Sequence, residues 1–248
     1  MGNPTASMLV IGDEILSGRI SESNMHFIAI ELSKIGIVLK EVRIVRDDKP
    51  AIISAVRALS SSFDFVFTSG GIGPTHDDIT SECMAEAFNC QMEINELARN
   101  KLESYYIGLG KNFNSARLRM ARIPKGAELI ENSVSVAPGF LIENVYVMAG
   151  VPKVFKAMVK SVLKNLKRGT PILSRALKLC LAEGEIASLL EKLSLDYPKL
   201  SIGSYPFVKS GEFWVNIVVS GNRSELIEQF INNLEKKIEE RKYTSQVK

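Results

Sequence analysis

Apolar and polar positions follow two different patterns along the first two-thirds of the chain. Short apolar runs, such as Met8–Ile11 and Phe63–Thr68, have the length and composition of buried strands. Between such runs lie longer segments in which apolar residues recur every three or four positions, as in Ser23–Ile35, where we expect Ser23 to cap a helix. Strands that alternate with amphipathic helices predict β-α-β crossovers and therefore a parallel sheet.

The same patterns continue through residue 168. Further strands are predicted at Ile37–Val45, Glu128–Glu131 and Phe140–Met148. Further helices are predicted at Pro50–Ser60, Asp78–Phe88, residues 94–121 with a break near Gly108 and Gly110, and Pro152–Leu166. We therefore predict an α/β domain of three layers, α/β/α, with a mostly parallel sheet over residues 1–168.

A short polar segment, Lys167–Pro171, separates this domain from the rest of the chain. After it, strands are predicted at 172–182, 200–206 and 212–219, and helices at 184–195 and 223–240. This β-α-β-β-α order does not continue a parallel sheet. We therefore predict a second, small α+β domain over residues 169–243.

Composition narrows the functional classes. The 31 basic residues nearly balance the 28 acidic ones, and few aromatic residues lie among the lysines of residues 153–168, so this stretch is interpreted as a solvated helix face and no nucleic-acid partner is expected. No run of about 18 apolar residues and no secretion signal is present, so no membrane partner is expected. The three cysteines lack a CxxC spacing, as is typical of free thiols in a soluble cytoplasmic protein.

Two predicted strands run into loops whose residues are suited to binding an anion. The first strand leads into Gly12-Asp13-Glu14, and the third leads into the segment from Gly70 to Thr80, which reads GGIGPTHDDIT. The carboxyl ends of parallel strands meet at one edge of a sheet, where ligands bind. Gly70, Gly71 and Gly73 allow a phosphate to approach backbone N–H groups, and the next helix presents its positive end.

Carboxylates in these loops would repel a phosphate unless a cation lies between them. Glu14, Asp77 and Asp78 are therefore predicted to hold a divalent ion such as magnesium, manganese or cobalt and to be the catalytic groups. Thr75 and Thr80 offer hydroxyls to phosphate oxygens. The alternatives are a tight turn capped by Asp77 or Asp78 and, for Asp13 and Glu14, a plain pair at a helix N-terminus.

Other residues near these loops are candidates for ligand contact. His76 can transfer a proton or contact the ligand, or it is an exposed loop histidine. Asn24 can orient a ligand or cap a helix. The remaining candidates are Gly12, Asp13, Pro74, Pro138, Gly139, Gly150 and Pro152.

Taken together, these motifs resemble a known family. The strings IGDEILSG from Ile11, Ser23-Asn24, GGIGPTHDDIT from Gly70, Ala137–Phe140 and Gly150–Pro152 are similar to the molybdopterin-binding (MoaB/Mog-like) domain. The closer resemblance is to the N-terminal domain of the competence/damage-inducible protein CinA and to the equivalent domain of eukaryotic FAD synthase. The likeness covers roughly residues 6–240.

The resemblance implies a metal-dependent pyrophosphatase that hydrolyses the diphosphate of ADP-ribose or FAD, in a homo-oligomer, either a dimer or a trimer. It maps the family's ligand-binding positions onto Asp13, Glu14, Asn24, the Gly70–Thr80 loop and the two later turns. The alternatives are a molybdopterin-binding protein of molybdenum cofactor biosynthesis and a non-catalytic nucleotide-binding module. Neither the amidohydrolase domain common in CinA proteins nor the adenylyltransferase domain of FAD synthase has a counterpart in the sequence, so neither activity is expected.

Overall fold

The computed structural model describes residues 2–246, with side chains described over residues 2–240. The chain divides into two compact units, with the boundary between Gly169 and Thr170. Within the described residues, no helix is both long and apolar enough to cross a membrane.

The first unit contains eight strands and seven helices within the described residues. The strands are β1 (Thr5–Ile11), β2 (Val38–Val45), β3 (Phe65–Ser69), β4 (Met92–Ile94), β5 (Arg122–Pro124), β6 (Glu128–Ile130), β7 (Gly139–Ile142) and β8 (Val145–Met148). The helices are α1 (Asp13–Leu16), α2 (Asn24–Lys34), α3 (Lys49–Ser62), α4 (Thr80–Ala87), α5 (Glu96–Gly108), α6 (Ser115–Arg119) and α7 (Pro152–Val162).

Six of these strands form one sheet in the order β2-β1-β3-β8-β7-β6. The first four run parallel, and β7 and β6 continue the sheet antiparallel. The predicted α/β architecture with a mostly parallel sheet is therefore confirmed.

Side chains of β1 alternate between two cores. Met8 and Val10 pack on the side of α2 and α7, whereas Leu9 and Ile11 pack on the side of α3 and α4. Successive residues of a strand point to opposite faces, so a strand buried on both faces is an uninterrupted apolar run. This explains why Met8–Ile11 was recognisable in the sequence.

One strand prediction was wrong, and one short pairing of strands was missed. Residues 140–148 form two antiparallel strands, β7 and β8, because Glu143 and Asn144 make a two-residue turn in which Glu143 has a φ of 52°. The apolar run on either side of that turn hid the reversal. The short ladder of β4 with β5 was not predicted, since three residues a strand give no readable periodicity.

The cap of α2 also differs from the prediction. Ser23 occupies the N-cap position, but its side chain makes no capping hydrogen bond. Instead, the Glu22 carboxylate accepts hydrogen bonds from the backbone N–H groups of Asn24 and Met25, both at 2.8 Å. A carboxylate at this end is favoured by the helix dipole.

The second unit has the predicted β-α-β-β-α order. Its elements are β9 (Leu173–Leu179), α8 (Glu183–Asp196), β10 (Ser201–Lys209), β11 (Glu212–Gly221) and α9 (Ser224–Gln246). The three strands form an antiparallel sheet in the order β10-β11-β9, and a core that includes Leu193, Ile217 and Phe230 joins the sheet to the helices.

Candidate functional site

A cleft of about 510 Å³ lies at the carboxyl ends of the parallel strands. It is lined by the residues that follow β1, β2, β3 and β8. In the sheet, β1 lies between β2 and β3, and the two crossovers α2 and α3 pack on opposite faces, so the chain reverses its winding direction between β1 and β3. Ligands bind at such a switch point, and the volume suits a small molecule.

Three strand ends approach one another closely in this cleft, and glycines stand at the contacts. Gly70 has a φ of 113°, and a Cβ atom there would lie 2.1 Å from the carbonyl oxygen of Ile11. A Cβ on Gly150 would lie 3.3 Å from the Cα of Gly70. The backbone therefore forms a floor that joins the ends of β1, β3 and β8.

The loop after β3 presents backbone donors to the cleft. The N–H of Gly70 is bonded to the Met148 carbonyl at 3.1 Å. By contrast, the N–H groups of Gly71, Ile72 and Gly73 make no hydrogen bond to any residue that the structure describes. Successive free amides of this kind form a concave site for an anion. The nearby helix α4 begins without a side-chain cap, which leaves its positive end available.

Carboxylates from three strand ends line the same cleft. Glu14 follows β1, Asp47 follows β2, and Asp77 and Asp78 belong to the loop after β3. The Glu14 carboxylate lies directly against Gly12. A Cβ atom placed on Gly12 would be only 2.6 Å from Oε1 of Glu14. The two acidic loops that the sequence analysis singled out therefore face one cavity.

Asp47 is a carboxylate of the cleft whose pKa is raised by this arrangement. Its Oδ2 accepts a hydrogen bond from the backbone N–H of Asp13 at 2.9 Å. Burial raises the pKa of the Asp47 carboxyl above its usual value, and the negative charges of Glu14, Asp13 and Asp77 add to the rise, against the lowering effect of that hydrogen bond. Like charges crowded into a half-buried space favour binding of a proton or a cation.

Asp78 and Asp77 have different surroundings. The Asp78 Oδ2 accepts hydrogen bonds from the backbone N–H of Thr75 at 2.8 Å and from its hydroxyl at 2.5 Å, so Asp78 closes the loop. The Thr75 side chain, a backbone N–H and the charges of His76 and Arg119 lower the pKa of Asp77. The carboxyl group of Asp77 therefore loses its proton at a lower pH than that of Asp47, whose pKa is raised.

Asn24 connects the elements around the cleft. Its amide nitrogen donates to the Ser69 hydroxyl at 2.9 Å and to the Gly150 carbonyl at 2.8 Å, and its Oδ1 is buried without a partner among the described residues. Because Asn24 is only 3% exposed, this residue holds α2 against the ends of β3 and β8.

The structure brings ten of the predicted site residues to the cleft and leaves seven outside its lining. Those in the lining are Gly12, Glu14, Asn24, Gly70, Gly71, Gly73, Asp77, Asp78, Gly150 and Pro152. Those outside it are Asp13, Pro74, Thr75, His76, Thr80, Pro138 and Gly139.

The residues outside the lining have other contacts. The Asp13 carboxylate pairs with Arg46, with 3.0 Å between Oδ1 and Nε. The hydroxyl of Thr80 is buried beneath Gly71, whereas the His76 side chain is 97% exposed. Gly139 packs against β8, where a Cβ would lie 2.4 Å from the Val147 carbonyl oxygen.

Sequence reasoning missed several residues of the cleft. Asp47 follows β2 just as Asp13 follows β1, so its position at a strand end was a readable signal. Glu22 was hidden within a polar linker. An apolar part of the wall comes from Ile15, Ile20, Ile72, Met120 and Val151, which are scattered along the chain.

The donor set suits a cation that is shared with a ligand. Among the described residues, no group of three or more histidine, cysteine, aspartate or glutamate side chains is close enough to hold a metal ion by itself. Magnesium commonly binds through one or two carboxylates together with substrate phosphate oxygens. This cleft has both carboxylates, which could bind the cation, and free amides, which could bind the phosphate of the ligand that shares it.

Comparison with known proteins gives consistent results for both units. Residues 7–168 match the family model described as "Probable molybdopterin binding domain", and residues 171–247 match the middle domain of FAD synthase. A protein of Archaeoglobus fulgidus is 32% identical over 235 residues, covering 95% of this chain and 98% of that protein.

Two further proteins connect the chain to named relatives. A "Probable FAD synthase" of Caenorhabditis elegans is 30% identical over 93% of this chain, which spans 49% of that protein's length. The crystal structure of the protein CinA from Thermoplasma acidophilum superposes with a TM-score of 0.61 and 34% identity, covering 66% of this chain and 98% of that structure. The chain therefore belongs to the molybdopterin-binding domain family, with CinA-like and FAD synthase-like relatives.

Proposed function

We propose that this chain is a divalent-metal-dependent hydrolase that cleaves the diphosphate of ADP-ribose or FAD. The observation that carries the proposal is one cleft in which three free amides, those of Gly71, Ile72 and Gly73, lie with the carboxylates of Glu14, Asp47 and Asp77. Backbone amides bind phosphate oxygens, and carboxylates bind the divalent cation that is coordinated by a diphosphate.

The apolar wall adds support for a nucleotide-like ligand. Ile20, Ile72, Met120 and Val151 line the cleft together with the polar loops. Ligand sites commonly combine apolar surface with a few polar groups that fix orientation. A nucleotide has both parts, because its base is flat and largely apolar on its faces while its diphosphate is charged.

Each group of residues in the cleft has its own role in the proposed reaction. Glu14 and Asp77, from different loops, would hold the cation, and Asp78 would keep the loop closed through Thr75. A bound cation supplies charge neutralisation at the phosphate and a lower pKa for water. The amides of Gly71–Gly73 stabilise negative charge that develops on the phosphate oxygens.

Asp47 is assigned the role of proton acceptor. Water attacks one phosphorus of the diphosphate, a new P–O bond forms, and the bond to the bridging oxygen breaks. The water proton passes to the Asp47 carboxylate, whose raised pKa makes it a better base than an ordinary aspartate. The products are AMP with ribose 5-phosphate from ADP-ribose, or AMP with FMN from FAD.

The direct test is AMP release from each substrate with magnesium, manganese or cobalt, measured by chromatography. The wild-type chain should release AMP only when an ion is present, and Asp77→Asn should release far less. Glu93→Gln is a matched control, because Glu93 is an exposed carboxylate on β4 outside the cleft. Equal release by wild type and Asp77→Asn with every ion would overturn the proposal. Nucleotide binding without turnover would favour a non-catalytic binding module instead.

A second candidate function is molybdopterin binding in molybdenum cofactor biosynthesis. Its support is the family to which the first unit belongs. The same amides would then receive the terminal phosphate of the pterin. Retention of molybdopterin by the purified chain, without AMP release from either dinucleotide, would favour this function.

We also propose that the chain acts in the cytoplasm as a homo-oligomer, either a dimer or a trimer. Light scattering on the purified chain measures the number of copies directly. A mass equal to that of a single chain at all concentrations would contradict the oligomer.

A further inference from the structure

A second cavity of the first unit carries a strong positive charge. This groove, of about 750 Å³, is lined by Lys101, Leu129–Ser133, Val136, Pro138, Lys153, Lys156, Ala157, Lys160, Ser161 and Lys164. Its volume lies within the range of small-molecule sites. The five lysines face a single carboxylate, Glu131, so that the lining has a net charge of +4 (5 − 1).

The lysines on and just after α7 have no acidic partner that would explain them. Lys153, Lys156 and Lys160 follow the polar side of α7, opposite the buried Phe155 and Met158, and Lys164 lies in the following turn. None of these four ammonium groups makes an ion pair with a residue that the structure describes. Glu131 is paired with Lys101 at 3.5 Å. The groove therefore concentrates charge without neutralising it.

The opposite wall of the groove is a strained segment, residues 132–138. Val136 has a φ of 64°, in the left-handed region, which is strained for a branched residue. Asn132 holds the segment, since its Nδ2 donates to the Ser135 hydroxyl at 2.6 Å and to the Ala137 carbonyl at 3.0 Å. Asn132 is 8% exposed, so these hydrogen bonds are largely shielded from solvent. Strain that is held in this way is common at binding sites.

Residues of this segment line two different cavities. Ser133, Val136 and Pro138 line the groove, whereas Ser135 and Ala137 line the cleft. The groove is therefore separated from the cleft by one layer of backbone and is a different site.

We propose that the groove binds a chain of linked phosphates. Several ammonium groups along one groove recognise a ligand with several adjacent negative charges, and lysine binds phosphate as a point charge. No aromatic side chain lines the groove, so the site lacks a stacking platform for a base. The recognised part is therefore the phosphate chain, whether free or attached to a nucleoside.

Calorimetric titration with tripolyphosphate, at low ionic strength and with divalent ions removed, tests the proposal. Without a cation, the carboxylates of the cleft disfavour an anion, which leaves the groove as the site measured. Lys160→Ala/Lys164→Ala should weaken binding about tenfold, because two contacts to charged oxygens are lost. Lys125→Ala/Lys167→Ala removes the same charge from exposed positions outside the groove and should weaken binding less than about twofold.

The proposal would be overturned by no binding by wild type, unchanged binding by the groove variant, an equal loss in both double variants, or tighter binding of a single-stranded oligonucleotide or oligoglutamate of matched charge. A parallel titration with ATP shows whether the groove recognises the phosphate chain alone or also an attached nucleoside. Affinity for ATP equal to that for tripolyphosphate supports recognition of phosphate alone, and much tighter binding of ATP would contradict it.

Discussion

The carboxylate of Asp47 accepts a hydrogen bond of 2.9 Å from the backbone N–H of Asp13, which joins the loop after β2 to the loop after β1. The bond places Asp47 beside the charges of Glu14 and Asp77, and burial together with those charges raises the pKa of Asp47. The hydrogen bond therefore holds the carboxylate in place, whereas its raised affinity for a proton comes from burial and the neighbouring charges.

Asp47→Asn should make the folded state more stable at pH 7 in the absence of divalent ions. A raised pKa in the folded state means that the stabilising effect of the protonated form is complete below the pKa of the unfolded chain and is lost as pH rises through the folded-state pKa. The asparagine variant does not undergo this loss, and its Oδ1 can still accept from Asp13.

Urea unfolding at pH 7 and near pH 4 measures the effect. The stability difference between variant and wild type should be largest at pH 7 and should shrink as pH falls, whereas Glu93→Gln should show no such trend. A variant less stable than wild type at pH 7 would show that the ionised Asp47 stabilises the fold.

Two substitutions at Asp78 distinguish its role as a hydrogen-bond acceptor for Thr75 from the role of its negative charge. Asp78→Ala removes the acceptor that Thr75 uses, and it should lower kcat/KM about tenfold, as expected for an unsatisfied pair of donors. Asp78→Asn keeps an acceptor and should retain most of the activity. If both variants lose activity equally, the charge of Asp78 is required and the cation assignment must include it.

Gly71 and Thr80 should show strong energetic coupling. A Cβ on Gly71 would lie 2.1 Å from the Thr80 Oγ1, and Gly71 has a φ of 70°, so Gly71→Ala should cost roughly 2–4 kcal/mol. Adding Thr80→Ala relieves the clash but not the backbone strain.

A double-mutant cycle by urea unfolding should therefore give a coupling of at least about 1 kcal/mol between these two positions. Gly108→Ala is the control, because no atom lies within 4 Å of its added Cβ. Additive effects of Gly71→Ala and Thr80→Ala would mean that the loop moves to accommodate the methyl group.

His76→Ala should leave kcat/KM within about twofold of wild type, since the His76 side chain is exposed and lies outside the cleft lining. This prediction chooses between the two roles that the sequence left open for His76. Loss of the alkaline or acidic limb of the pH–rate profile in the variant would instead assign proton transfer to His76.

The sequence predicted the parts of the site that lie at strand ends, and for a physical reason. Apolar runs such as Met8–Ile11 locate the strands, and parallel strands bring Gly12 and Gly70 to one edge. Asp47 lay at an equivalent position but without a neighbouring glycine, so it was overlooked. Its raised pKa depends on burial and on charges from two other loops, those after β1 and β3, and cannot be seen in local sequence.

Other errors came from contacts between distant residues. Thr80 was expected to offer its hydroxyl to phosphate oxygens, but its backbone N–H bonds to the Gly71 carbonyl at 3.0 Å, and its hydroxyl is buried beneath Gly71. The turn at Glu143 was hidden because the strands on either side are equally apolar. The lysines of α7 were interpreted as a solvated face, and they are exposed in the structure. Their position along a groove was not predicted, since the opposite wall of that groove comes from residues 129–138.

The central claim is that Glu14 and Asp77, from loops far apart in the chain, act on one diphosphate through one cation. The most direct test is a double-mutant cycle on kcat/KM for AMP release from ADP-ribose, with Glu14→Gln, Asp77→Asn and the double variant. Each single substitution should lower kcat/KM by roughly a hundredfold, and the double variant should be little worse than either, because groups that act as a unit are not additive. A double variant whose loss equals the product of the two single losses would contradict the claim.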